Sequence, residues 1–359
     1  MGIYGNEIKR RDEMRILVTG GAGFIGCNFV HHIFEAHPDY QVDVLDKLTY
    51  AGARENLKEL KTRKGCRFFK GDICGPEIVD KLVKDADWVV NFAAETHAGR
   101  SLVSGGDFVL TDVFGTYVLL EAVRKYGKAS FLQISTDEVY GEAGKVPPDE
   151  NGPLMPKSPF AASKAGADRL AFSYWTAYGT PVVITRCTNN YGPYEFPEKL
   201  VSLFATNAIM GRKLPVYGDG KDTRDWIHVK DHCRALDALM HSGTNAGEVF
   251  NIGAGEEHSV MEIADIVLKT LGKSDELIEY VADRPGHVMR HAVNSGKIRE
   301  VVGWGPVEDF GQGIRETVLW YKENEAWWRK LLLRRADSAK EFGGLMKVAG
   351  KKAGVKRVG

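Results

Sequence analysis

Cysteine is scarce in this chain, and the thiols it has stand apart. The five cysteines among 359 residues, Cys27, Cys66, Cys74, Cys187 and Cys233, form no C-x-x-C pair. That scatter offers neither a zinc ribbon nor a disulfide framework, so free thiols in a reducing, cytoplasmic setting are expected. Also lacking is any apolar run near the roughly 18 residues needed to span a bilayer. The opening "MGIYGNEIKRRDE" has no apolar segment of the kind a signal peptide carries, and residues 1–13 are expected to be a disordered leader. An excess of one charge is missing as well. Lys plus Arg and Asp plus Glu each total 48, so no global field draws the molecule to nucleic acid or to an anionic membrane surface. No basic recognition helix stands out, and any anion site must be local. Internal repeats and low-complexity blocks are absent, although the closing "KKAGVKRVG" reads as a solvated basic tail.

What is present is a 43% hydrophobic content, enough for a substantial core, arranged in alternation. "RILVTG", "QVDVLD", "CRFFKGD", "DWVVNFAA", "ASFLQIST" and "TPVVITR" read as strands. Helical stretches separate them, such as "FIGCNFVHHIFEAH", where Ile25, Phe29 and Ile33 share a face. This predicts an α/β protein with a Rossmann-type doubly wound parallel sheet over residues 14–187. Past Arg186 the pattern gives way to Gly-, Pro- and Asn-rich loops and short helices. A smaller substrate-binding lobe is expected over 188–330, with some segments returning to the first domain and a ligand in the cleft between. Residues 331–359 are expected to be a helix end and tail. The stretch "VLWYKENEAWWRKLLLRR" has the aromatics of a partner-binding or membrane-surface helix, but packing them within the chain is the simpler expectation.

Three glycines, Gly20, Gly23 and Gly26, fall in "VTGGAGFIG" between the first strand and first helix. Glycine there permits a tight turn, close approach of backbone to a pyrophosphate, and close helix packing, while the helix N-terminus supplies N–H donors. Asp46 ends the second strand, 20 residues beyond Gly26. A carboxylate at that place accepts hydrogen bonds from ribose hydroxyls and repels a 2′-phosphate, favouring NAD over NADP. Asp72, in "KGDI", is placed either to reach the adenine end or merely to cap the next helix.

Thr136, Asp137 and Glu138 follow a strand in "ISTDEVYG", at the carboxyl edge where open α/β sheets bind ligands. Two adjacent carboxylates in a closed cleft repel each other's charge, so one stays protonated while the other ionises, giving an acid and a base. Further on, "SPFAASKAGAD" opens a helix with Lys164 four residues after Phe160.

Taken in order, "TGGAGFIG", "DKLTYAG", "KGDI", "FAAETH", "STDEVYG", "ASKAGAD", "TRCTNNYGPYEFPEKL", "YGDGKDTRDWIHVKDHCRA" and "DRPGH" resemble the nucleotide-sugar 4,6-dehydratases of the extended short-chain dehydrogenase/reductase superfamily. The likeness runs from Met14 to about Lys330 and is strongest to the branch acting on dTDP-glucose. It implies a lyase that uses NAD to convert a nucleotide hexose, dTDP-glucose or UDP-glucose, to its 4-keto-6-deoxy form. Carried over, Glu138 removes the C5 proton, Asp137 protonates the departing C6 hydroxyl and Thr136 hydrogen-bonds O4. Lys164 holds the nicotinamide ribose. The resemblance further implies cofactor contacts from Phe24, Ile25, Lys47, Thr49, Ile73, Ala93, Ala94 and Asn190. It implies substrate contacts from Glu95, Thr96, His97, Asn189, Lys199, Leu200, Pro215, Tyr217, Arg224, Asn251, Arg284 and His287. No metal site is expected. A homodimer is implied, through the apolar faces of "DFVLTDVFGTYVLLEAVRKYG" and "SPFAASKAGADRLAFSYWTAYG".

Departures from the family pattern are equally specific. Phe160 replaces a tyrosine whose phenol should accept the C4 hydroxyl proton, and Ala161 or Ala162 replaces a serine. Ala98 and Gly99 replace a larger residue and an aspartate, Asp112 a common asparagine, and Val288, Met289 and His291 a more polar and aromatic set. Three accounts stay open: a tyrosine-to-phenylalanine change introduced into an ordinary member, a divergent enzyme with another proton route such as water or His97, and a non-catalytic nucleotide-sugar binder. An epimerase, decarboxylase or reductase of the same superfamily is the alternative activity.

Overall fold

The computed structural model describes residues 14–243, 245–282 and 288–333. The leader, the basic tail, Arg284 and His287 lie outside the described residues. Six strands come first: β1 (Arg15–Thr19), β2 (Gln41–Asp46), β3 (Cys66–Lys70), β4 (Trp88–Asn91), β5 (Ser130–Thr136) and β6 (Val182–Cys187). Three strands outside the main sheet follow, β7 (Asn189–Tyr191), β8 (Leu214–Tyr217) and β9 (Thr223–His228), before β10 (Val249–Ile252) returns to it. The result is a seven-stranded sheet in the order β10-β6-β5-β4-β1-β2-β3, parallel throughout. Strand order reverses between β1 and β4, and a crevice opens there at the carboxyl ends of the strands.

Strand alternation explains why helices cover both faces. Ile16 and Val18 of β1 point to one side, where they join Phe29, Val30 and Ile33 of helix Phe24–Ala36 and Cys233, Leu236 and Leu239 of helix Val229–His241. Leu17 points to the other side with Val89 and Phe131, against helices Pro76–Val83, Thr116–Tyr126 and Pro159–Tyr178. Strands buried on both faces must be apolar at nearly every position, which is why "RILV" and "WVV" carry no alternation. Helix Val229–His241 and β10 therefore belong to the first core although they follow Arg186 in sequence.

A second core joins helices Leu200–Ile209, Val260–Leu271 and Phe310–Glu323 around Phe204, Ile263, Val267, Ile314 and Trp328. Beside it, β11 (Glu257–Ser259) and β13 (Arg290–His291) flank β9, and β12 (Ile278–Val281) pairs with β8. The aromatic C-terminal stretch packs within the chain. Trp328 is fully buried and donates to the Tyr321 carbonyl at 2.7 Å, and Trp327 donates to Asn56 Oδ1 at 2.8 Å, tying this lobe to the first domain.

The helical stretch before Gly127 changes its winding part-way. Helical turns at Gly105–Phe108 lead into a π-helical turn at Val109–Gly115 before the Thr116–Tyr126 helix. That turn brings Asp112 inward, where its carboxylate accepts from the Glu95 N–H at 2.9 Å and from the Ser163 hydroxyl at 2.5 Å.

Candidate active site

A cavity of about 650 Å³ lies at the reversal of strand order, and nearly all the sequence-derived site residues line it. One end is built from the glycine loop. Gly20 has φ +67°, and a Cβ on it would sit 2.6 Å from the Ala93 nitrogen of β4's extension. A Cβ on Gly26 would meet the Gly20 carbonyl oxygen at 2.4 Å. Both positions thus require glycine, one for its backbone angle and both for space. Gly23 caps the Phe24–Ala36 helix without a side-chain hydrogen bond, so the first-turn N–H groups of Phe24, Ile25 and Gly26 are turned to the cleft.

Asp46 closes this end. Its two oxygens accept from the Ala22 N–H at 2.9 Å and the Leu48 N–H at 2.7 Å, which fixes the carboxylate at the mouth of the loop. Burial raises its pKa, and these two N–H donors offset only part of that rise. Asp72 accepts from the Cys74 N–H at 2.9 Å and pairs with Lys47 at 2.7 Å. Burial lifts its pKa, but Lys47 and the Cys74 amide more than offset this and hold it below the ordinary carboxylate range. Asp72 thus caps the turn and still faces the cleft, beside Thr49 and Ile73.

Such a lining fits a dinucleotide: open N–H donors for a pyrophosphate, an ionisable carboxylate for a ribose, and the small residues Ala93 and Ala94 where a flat ring system must pass.

At the other end β5 delivers Thr136, and a tight turn over Asp137–Tyr140 carries the two acids. The Thr136 hydroxyl accepts from the Glu138 N–H at 3.3 Å and donates to Asp137 Oδ1 at 3.2 Å. Asp137 is 3% exposed, and its Oδ2 has no hydrogen-bond partner. Burial above all, then the charges of Glu138 and Asp225, push its pKa up to about 8, against the weaker opposing pull of Thr136 and Arg224. A carboxyl group in that state is protonated at neutral pH and has a proton to give.

Phe160 and Lys164 lie on the first two turns of the Pro159–Tyr178 helix, started by Ser158, whose hydroxyl accepts from the Ala161 N–H at 3.0 Å. The Lys164 ammonium donates to the Ile134 carbonyl at 2.5 Å. Burial pulls its pKa down, while Asp112, Cys187 and Asp168 act in the opposite direction. Phe160 lines the cleft and packs edge-on to Phe108 with centroids 6.2 Å apart. Ala161, next to it on the cavity wall, adds no hydroxyl.

The helix is anchored from beneath. Arg186 of β6 pairs with Asp168 at 2.8 Å and donates to the Tyr140 hydroxyl at 2.6 Å, linking the helix to the acid-bearing turn.

Glu95, Thr96, His97, Asn189, Asn190, Lys199, Leu200, Pro215, Tyr217 and Arg224 all line the cavity. His97 holds a φ of +81°, a backbone angle costly for a non-glycine residue and characteristic of functional sites. Asn251 is the exception and corrects the sequence reading. It is fully buried in β10, where it accepts from the Tyr140 hydroxyl at 2.9 Å and donates to the Pro148 and Asn294 carbonyls, so it braces the acid turn from behind. With both amide hydrogens and the oxygen engaged by these groups, its side chain is committed to that bracing rather than to the cavity.

The cavity also holds acids that the sequence reading passed over. Glu195 is buried, with burial pushing its pKa up to about 8, and Glu198 pairs with Arg100 at 3.2 Å. Both sit in the quoted "YGPYEFPEKL", so proximity to Lys199 was the available signal. Asp112, marked in the sequence as a departure from a common asparagine, lies behind the cavity lining, bonded to the Glu95 amide and the Ser163 hydroxyl. Burial pushes its pKa up to about 6, with Lys164, Ser163 and the Glu95 amide opposing.

Comparison with known proteins agrees with this geometry. Residues 17–317 match the family model described as GDP-mannose 4,6 dehydratase. The chain is 47% identical over 322 residues to a dTDP-glucose 4,6-dehydratase of Streptomyces niveus, covering 89% of this chain and 96% of the relative. Two crystal structures superpose closely. A dTDP-glucose 4,6-dehydratase of Streptomyces venezuelae with NAD and TYD bound shares 45% identity at a TM-score of 0.86, covering 89% of this chain and all of that one. That of Bacillus anthracis in complex with NAD shares 46% at 0.83, covering 89% and 99%. With a glycine loop, an acid pair and a helix-borne lysine lining one cleft, and relatives matched over most of its length, the chain belongs to the nucleotide-sugar 4,6-dehydratase family of extended short-chain dehydrogenases/reductases.

Proposed function

We propose that this protein is a hydro-lyase that binds NAD and dehydrates a nucleotide hexose, dTDP-glucose foremost, to its 4-keto-6-deoxy form. One observation carries the reading: Asp137, buried and poised to hold a proton, adjoins Glu138 in the same cavity as the glycine loop. The loop and Asp46 hold the dinucleotide, and Lys164 holds the end nearer the acids. Bound NAD supplies an acceptor and then a donor of the same hydride, so the sugar undergoes no net redox change. Glu138 takes the C5 proton, and Asp137 gives its proton to the departing C6 oxygen. Thr136 steadies O4, its hydroxyl already at the hinge between the two acids.

The oxidation step is where this site is short. Phe160 keeps the aromatic ring at the helix start but has no phenol to receive the C4 hydroxyl proton. A missing general base costs about 10²–10⁴-fold in rate, so turnover is slow unless water or His97 substitutes. The intact acid pair weighs against a purely non-catalytic binder.

A homodimer is the proposed assembly. Val109, Leu110, Phe114 and Tyr117 on one helical stretch, and Trp175 and Tyr178 on the Pro159–Tyr178 helix, are exposed apolar side chains of the kind two subunits bury. Among the described residues no helix is long and apolar enough to cross a membrane, and the scattered free cysteines fit a cytoplasmic enzyme.

Incubation with dTDP-glucose and with UDP-glucose, followed by mass analysis, tests the activity. A product that has lost one water and gained a carbonyl supports dehydration. An isomer of unchanged mass indicates epimerisation, and binding without conversion, by the native chain and by a Phe160→Tyr variant alike, indicates a sensor or scaffold.

A further inference from the structure

Helix Phe24–Ala36 starts at the cleft, and its opposite, carboxyl end meets the carboxyl end of helix Val229–His241. Three imidazoles converge there on one carboxylate. His37 Nε2 lies 2.9 Å and His241 Nδ1 2.9 Å from the same oxygen, Asp237 Oδ1. His32 Nε2 lies 2.9 Å from the other oxygen, Oδ2. Ligand atoms of His37, Asp237 and His241 all fall within 4.8 Å of one another. The groups are partly exposed, at 26%, 15% and 33% for these three side chains, so an ion can enter from solvent.

We propose that His37, Asp237 and His241 form a binding site for a first-row divalent cation, zinc or one of its neighbours, separate from the catalytic cleft. Two imidazole nitrogens and one carboxylate oxygen are the donor set such ions prefer, while calcium and magnesium prefer all-oxygen shells. Zinc bonds to nitrogen and oxygen are about 2.0–2.2 Å, which sets neighbouring ligand atoms about 3.3 Å apart in a tetrahedron. To admit the ion both nitrogens must retreat from Oδ1, His241 Nδ1 must also give up its 2.8 Å hydrogen bond to the Asp237 main-chain carbonyl, and water supplies the fourth ligand.

The surrounding groups suit this arrangement. Asp237 and His241 are four residues apart on one helix and so share a face. The Tyr40 hydroxyl is 2.8 Å from His241 Nε2. With Nδ1 bound to a cation, Nε2 carries the ring proton and donates it to that hydroxyl, which fixes the tautomer. His32 donates to Oδ2 and holds the carboxylate so that Oδ1 faces the other two rings. His37 is further oriented by stacking on Tyr40 and on His241, each with centroids 4.6 Å apart. The ion would staple the helix that begins at the glycine loop to a helix that follows it by about 200 residues, linked already by packing on one core.

Cobalt(II), whose visible absorption reports tetrahedral coordination, is the probe, titrated into the full chain freed of any affinity tag. The expected result is one tightly bound equivalent, displaced by zinc, and a rise in unfolding temperature with zinc. His37→Gln and His241→Gln should each weaken binding by at least about tenfold, and His32→Gln by about 10–100-fold. Circular dichroism and product formation of each variant without added metal distinguish a lost ligand from a lost fold. Absence of binding by the native chain, or equal binding by His241→Gln of native fold, overturns the proposal. Both outcomes are independent of whether the cleft dehydrates dTDP-glucose.

Discussion

The two ends of the cleft solve different problems. The cofactor end is made mostly of backbone: a glycine loop, the open turn of a helix, and a carboxylate locked by two amides. Its requirements are geometric, and this chain meets them fully. The chemical end is made of side chains: Thr136, Asp137, Glu138, Phe160 and Lys164. There the proposed function turns on a single oxygen, the one Phe160 does not carry, while the shape is almost untouched because phenylalanine fills tyrosine's volume. Binding and chemistry in one cavity can therefore diverge independently.

That contrast gives an order of expected effects. Glu138→Gln, which keeps size and removes the proposed base, should lower product formation by about 10²–10⁴-fold while NAD content, read by absorbance of the denatured supernatant, stays unchanged. Loss of NAD together with activity would show that the two ends are not separable.

Gly26→Ala strikes the other end. Its Cβ would press on the Gly20 carbonyl at 2.4 Å, and overpacking of this kind costs about 1–3 kcal/mol. Calorimetry should register this as weaker NAD binding, whereas unchanged affinity would mean that the loop can open at little cost.

The smallest effect concerns pH. Asp137 is the proposed acid, and with its pKa pushed up to about 8 it stays protonated through neutrality and deprotonates above. Turnover limited by proton donation should hold below that pH and decline above it. Asp225, buried and held by the Ala254 and Gly255 amides, adds to that upward shift without lining the cleft. Asp225→Asn should therefore move the decline to lower pH, and an unmoved profile would assign the limb to another group.

Legibility in the sequence followed the same division. The glycine loop, Asp46 and the acid pair could be read because each is short, continuous in the chain, and placed at a strand end. The parallel sheet could be read because buried strands demand unbroken apolar runs. What could not be read depends on contacts between distant segments. Asn251 lies within β10 and was expected as a substrate contact from the family resemblance, but Tyr140, Pro148 and Asn294 close around it. Asp112 is turned inward beneath the site, onto the Glu95 amide and Ser163, by a π-helical turn that periodicity does not announce. The three histidines around Asp237 come together only because two helices pack side by side on the same face of the sheet.

The account's central claim is that this cavity holds a working elimination pair beside a nicotinamide site that lacks its proton acceptor for oxidation. Side-by-side rates of 4-keto product formation from dTDP-glucose by the native chain and by Phe160→Tyr test it most directly. The account predicts a gain of at least about tenfold, toward the 10²–10⁴ expected for a restored general base. Equal rates would contradict it, by showing that the phenol is not what the site is missing.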